Sequence, residues 1–112
     1  MFFLLAGFVQ SCALYSTTYI DPNKSFMLGQ GKHQGYSADI RNAGQNGVEV
    51  FTIAETGDST SLGVLRPNEK KNYAVPANTL VRFKNLSSVL GATIQIELRG
   101  DTNLSMGYKE NK

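Results

Sequence analysis

The chain has 112 residues, 41% of them hydrophobic and 18% charged, and a formal net charge of +2. That is the length of a single domain, too apolar for disorder and, past its first dozen residues, too polar to span a membrane. So small a net charge gives no general attraction to nucleic acid, and a single cysteine excludes an intrachain disulfide and a Cys-based zinc site, which leaves the core alone to hold the fold.

Residues Phe2 to Val9 form an apolar run of the length of a signal-peptide core, far too short to cross a bilayer. The run ends in Val9-Gln10-Ser11-Cys12. This tetrapeptide resembles the lipobox of bacterial lipoproteins: an aliphatic residue three before the cysteine, a small residue just before it, then Cys. It departs from that pattern at Gln10, and no Lys or Arg precedes the apolar run. The resemblance implies that residues 1–11 are a cleaved signal and that Cys12 is acylated as the new N-terminus. At about 0.8 kcal/mol per buried CH2, several acyl chains on one residue make a permanent membrane anchor. The alternative is a first strand or short helix with Cys12 an ordinary buried thiol. Residues 12–24 then read as a lipidated tether with little periodicity. By resemblance to lipoprotein sorting in bacteria with two membranes, the absence of Asp just after Cys12 favours the outer membrane over the inner one.

From residue 25 to 112 the reading is one all-β domain, a single small antiparallel β-sandwich, immunoglobulin-like, of about seven or eight strands. Tyr36, Ala38 and Ile40 alternate with Ser37, Asp39 and Arg41, so one face is apolar and the other wet. Val48 to Ala54 is apolar on both faces and reads as a central strand covered on both sides. A short strand near Ser61 to Leu65 stops at Arg66-Pro67-Asn68-Glu69, where Pro67 fixes φ and ends strand pairing. Lys70 to Val75 and Val81 to Lys84 read as a hairpin turning at Ala77. Ile94, Ile96 and Leu98 face inward on a further strand, and Gly100-Asp101 turns the chain into Leu104 to Tyr108. The expected core is Tyr36, Ile40, Val48, Val50, Phe51, Tyr73, Val81, Phe83, Ile94, Ile96 and Leu98. The stretch Val48 to Ser88, with its turn at residues 65–69 and its Val75-Pro76-Ala77-Asn78-Thr79 segment, resembles the small β-sandwich modules of secreted bacterial proteins, which mostly bind or space.

Catalytic constellations are missing. The only histidine, His33, lies in a glycine-rich loop too flexible to hold a general base, and no second metal ligand stands at strand or helix spacing from it. There is no Gly-x-Ser-x-Gly elbow, and Glu49, Glu55, Glu69 and Glu97 read as surface carboxylates rather than a glycosidase pair. We expect no enzyme, no cofactor and no metal. Arg66, Lys70, Lys71, Arg82 and Lys84 form the densest basic group. The expected hairpin puts Lys70, Arg82 and Lys84 on one face, a site for anionic headgroups or polymers unless Glu69 or Glu97 neutralises it. Lysine protection of a sheet edge is a third reading. Arg99-Gly100-Asp101 spells an integrin-binding tripeptide, although Gly-Asp is also ordinary turn chemistry. The function these features point to is a lipid-anchored, non-enzymatic binding or structural module of the cell envelope. Alternatives are an enzyme inhibitor, an accessory subunit of an envelope complex, and a binder of anionic polymer through the basic face.

Overall fold

The computed structural model describes residues 13–111; Cys12 and the apolar run before it lie outside the described residues. The described residues form nine strands and no helix: β1 (Leu14–Ile20), β2 (Lys24–Leu28), β3 (Tyr36–Asn42), β4 (Val48–Ile53), β5 (Ser59–Leu65), β6 (Lys70–Val75), β7 (Leu80–Asn85), β8 (Ala92–Gly100) and β9 (Met106–Glu110). They make two antiparallel sheets, one in the order β1-β8-β3-β6 and one in the order β5-β4-β7-β2-β9. The expected small β-sandwich is therefore present, with nine strands among the described residues where the sequence suggests about seven or eight. Its pairs run β1 with β8, β2 with β7, β3 with β6 and β4 with β5. That nesting is a jelly roll. The immunoglobulin likeness extends to the two-layer architecture and not to the connections.

Every connection except β4 to β5 carries the chain from one sheet to the other. Three of these arches turn on an asparagine with positive φ: Asn23 (64°), Asn68 (68°) and Asn78 (59°). Asp21-Pro22-Asn23-Lys24 and Arg66-Pro67-Asn68-Glu69 share one design, with proline second, the left-handed asparagine third, and the fourth residue's N–H donating to the first residue's carbonyl. Proline pre-sets the second position, and asparagine tolerates the left-handed third.

The core lies between the sheets and contains Ile20, Phe26, Leu28, Ile40, Val48, Val50, Leu65, Val81, Phe83, Ile94, Ile96 and Leu98, all fully or almost fully buried. Two buried asparagines close one end. The Asn42 amide donates to the carbonyls of Asn46 and Leu65, and the Asn85 amide to those of Ile20, Asp21 and Leu90. Satisfied in this way, buried amides pin the arches instead of destabilising them.

Several readings of the sequence are corrected here. Residues 12–24 are not simply a tether: 14–20 form β1, zipped along seven residue pairs to β8, with Ile20 in the core. Lys70–Val75 and Val81–Lys84 do not form a hairpin, because β6 and β7 belong to different sheets and the Pro76–Thr79 arch crosses between them. Phe51 is not in the core, and β4 is covered on one side only. Its Val48 and Val50 point inward, while Phe51 and Ile53 lie half-buried on the outer face. Tyr73 packs on the core only in part. His33 is held rather than mobile: its ring nitrogens lie 2.7 Å from the Gln34 carbonyl and 2.9 Å from the Thr79 carbonyl, and its backbone N–H donates to Asn78.

Candidate functional site

The register of the four-stranded sheet generates its outer face row by row. One row across β1, β8, β3 and β6 reads Tyr15, Glu97, Asp39, Asn72; the next reads Thr17, Gln95, Arg41, Lys70. In a strand, alternate residues share a face, so the two rows lie side by side and Tyr19 continues the β1 flank. All of these but Asn72 and Tyr19 line an open groove of about 520 Å3. Tyr15 stands in it 70% exposed, which leaves its ring available to a ligand, and Tyr19, 68% exposed, lies beyond it on the same strand.

The two rows differ in their electrostatics. In the first, each carboxylate already has a neighbour: Asn72 donates to Asp39 at 2.7 Å, the Tyr15 hydroxyl donates to Glu97 at 3.1 Å, and Arg99 is paired with Glu97. In the second, Arg41 stands directly opposite Lys70. Among the described residues neither forms an ion pair. Like charges directly opposite on a sheet repel, so this pair costs stability until an anion lies between or over them. The spare acceptors of Asp39 and Glu97 in the next row suit hydroxyl donors.

The basic group expected from the sequence is dispersed. Lys70 lies in the groove, and Lys71 lies 3.9 Å from Glu69 in an ion pair. Glu69 also accepts the backbone N–H of Arg66 in the turn. Arg82 and Lys84 are on the outer face of the opposite sheet. There the Arg82 Nε donates to Ser25 at 2.8 Å, its Nη2 donates to Asn111 at 3.1 Å, and the guanidinium lies 5.9 Å from the centre of the Phe51 ring. Lys84 has Glu49 directly across from it on β4. Lys70, Arg82 and Lys84 thus share no face, since the supposed hairpin between them is an arch. Arg41, which completes the cation pair with Lys70, is a site residue that sequence reasoning missed, as are Tyr15 and Asp39. Its position opposite Lys70 depends on β3 pairing with β6, which nothing local announces.

Arg99, Gly100 and Asp101 all have contacts within the domain. Arg99 is paired with Glu97. Gly100 ends β8 at φ 98°, where an added Cβ would come within 3.1 Å of the Gly35 carbonyl and 3.2 Å of the Tyr36 Cα. The backbone N–H of Gln34 (2.8 Å) and of Asn103 (3.0 Å) donate to the Asp101 carboxylate and hold its pKa below the usual aspartate value. Glu49 and Glu97 lie on opposite sheets, and Glu49 accepts a hydrogen bond from Ser61 at 2.8 Å. Burial pushes up the phenol pKa of Tyr36, whose hydroxyl has no hydrogen-bond partner among the described residues, and of Tyr73 beside Glu69.

No protein-family model and no curated protein sequence matches the chain. Solved structures share its shape, two of them as follows. One is procruciferin, an 11S globulin from Brassica napus, at 12% identity and a TM-score of 0.52 over 89% of this chain. This chain spans 23% of that protein's length. The other is the mitogen derived from Yersinia pseudotuberculosis, at 12% identity and a TM-score of 0.50, covering 84% of this chain and 94% of that one. The likeness is one of fold. At such identity it carries no ligand, partner or activity across.

Proposed function

We propose that the protein is a lipid-anchored, non-enzymatic binding module of the cell envelope, whose ligand surface is the outer face of the four-stranded sheet and whose ligand is an acidic, hydroxyl-rich polymer such as an anionic glycan strand. The observation that carries this reading is the Arg41–Lys70 pair, two cations directly opposite each other in an open groove that Asp39 and Glu97 also line, with neither cation in an ion pair among the described residues. An anionic group on the ligand relieves that repulsion, ligand hydroxyls donate to Asp39 and Glu97, and the exposed ring of Tyr15 offers a face on which a sugar ring stacks. The apolar run before Cys12 supports attachment to the envelope. This reading keeps the anionic-polymer binding expected from the sequence and assigns it to a different set of cations.

Titration calorimetry with polygalacturonate, neutral dextran and anionic liposomes tests the proposal. We expect binding to polygalacturonate that weakens steeply with salt and none to dextran. Arg41→Gln with Lys70→Gln should weaken it by about tenfold or more, the equivalent of roughly 1.4 kcal/mol. Lys84→Gln with Lys109→Gln, on the opposite face, should leave it unchanged. Equal losses from both pairs would reduce the attraction to net charge with no role for the groove, and preference for the liposomes would replace the glycan by a lipid surface.

A further inference from the structure

Four strands lie at the sheet edges, and three of them are protected. β6 begins with Lys70 and Lys71, and β9 ends in Lys109 and Glu110. β5 is irregular, with a register shift against β4 and Gly63 at φ 100°. Charges and bulges are the usual devices that stop an edge from recruiting another strand. β1 has none of them. Its sequence, Leu14-Tyr15-Ser16-Thr17-Thr18-Tyr19-Ile20, contains no charged residue and no proline, its register with β8 is unbroken, and its other side pairs with no strand among the described residues.

The same seven residues form a chemical palindrome about Thr17. Laid antiparallel against a second copy with the two-fold axis at Thr17, Leu14 meets Ile20, Tyr15 meets Tyr19, Ser16 meets Thr18 and Thr17 meets itself. Each match is apolar with apolar, aromatic with aromatic or hydroxyl with hydroxyl, the cross-strand pairs that favour sheet formation.

We infer that β1 is an isologous pairing edge, and that the protein forms a two-fold dimer in which the four-stranded sheets of two copies join through β1 into one eight-stranded sheet. The outer face then carries two Tyr15–Tyr19 pairs at its centre and an Arg41–Lys70 groove on either side. The inference stands on the strand edge and holds whether or not the groove binds an anion.

Sedimentation of the full chain in mild detergent tests it. We expect a mass that doubles as concentration rises. Thr17→Lys places like charges opposite each other at the axis and should give a monomer, as should Thr17→Glu, while an equal mixture of the two variants should restore the dimer by pairing Lys with Glu. A wild-type monomer at every concentration overturns the inference. A Thr17→Lys chain that remains dimeric, or folded Thr17→Lys and Thr17→Glu chains that do not associate when mixed, overturns it as well.

Discussion

On the five-stranded sheet Arg82 is folded down onto Ser25 and Asn111 and covers the Phe51 ring; on the four-stranded sheet Arg41 faces Lys70 and, among the described residues, makes no side-chain hydrogen bond or ion pair. Both are arginines at outward positions on a strand. What separates them is the residue that the register brings alongside. Arg82 has a hydroxyl and an amide within reach and an apolar ring to cover, so its long side chain acts as part of the packing. Arg41 has a second cation opposite it and, among the described residues, no ion-pair partner. A basic residue's role in this sandwich is set across strands and not along them.

Both faces rest on one shared core, and weakening it should destabilise the whole domain. Phe83→Ala, in the five-stranded sheet, should cost about 3–5 kcal/mol, and Ile96→Ala, in the four-stranded sheet, about 2–5 kcal/mol. Both side chains are almost fully buried between the layers. Urea melts of each variant should show one cooperative transition; a two-step melt would mean that the sheets are not a single unit.

The faces themselves separate at a smaller scale. Arg82→Ala removes two side-chain hydrogen bonds and the cover over Phe51 and should cost about 1–2 kcal/mol. Arg41→Gln removes one member of a repelling pair, so stability should change by less than about 0.5 kcal/mol or rise. Equal losses in the two melts would mean that Arg41 is tied into the fold as firmly as Arg82 and would undercut its assignment to a ligand.

The smallest effect is at Asp101, at the end of the four-stranded sheet. Its folded pKa is depressed, first by the Gln34 N–H and then by that of Asn103. Its contribution to stability is therefore present above the ordinary aspartate value of about 3.9 and disappears as pH falls through the lower folded value. Melts in increasing acid should show the stability gap between wild type and Asp101→Asn narrowing over that window. A gap that stays constant would show that the two backbone bonds do not depend on the carboxylate's charge.

The inward strands were legible wherever period-two alternation set large apolar residues against polar ones, as in Tyr36–Arg41, Val81–Lys84 and Ile94–Leu98. β1 was not, because its amphipathy is reversed: small hydroxyl residues Ser16 and Thr18 face inward with Ile20, while Tyr15 and Tyr19 face out. Alternation reports which face a residue takes but not which strand lies beside it. Hence Lys70 stands out in the sequence whereas its pairing with Arg41 does not, and the grouping of Lys70, Arg82 and Lys84 on one face rests on a hairpin where the fold has an arch. The turn at Arg66-Pro67-Asn68-Glu69 reads as a break between strands, and Pro22-Asn23 as part of a tether. That they are arches between sheets follows only from the nested pairing.

The nesting has a consequence for how the chain reaches this state. β1 at Leu14–Ile20 pairs with Ala92–Leu98, and β2 pairs both with β7 and with Met106–Glu110. Of the eight connections only β4 to β5 is a local hairpin, so nearly every contact waits for a distant partner, and chains dominated by such non-local pairing fold in milliseconds to seconds rather than microseconds. Neither sheet can be completed until almost all of the polypeptide has emerged. A nascent chain of this topology therefore stays open along most of its length while it is being made, the condition in which a polypeptide can still be threaded through a narrow channel before it folds on the far side.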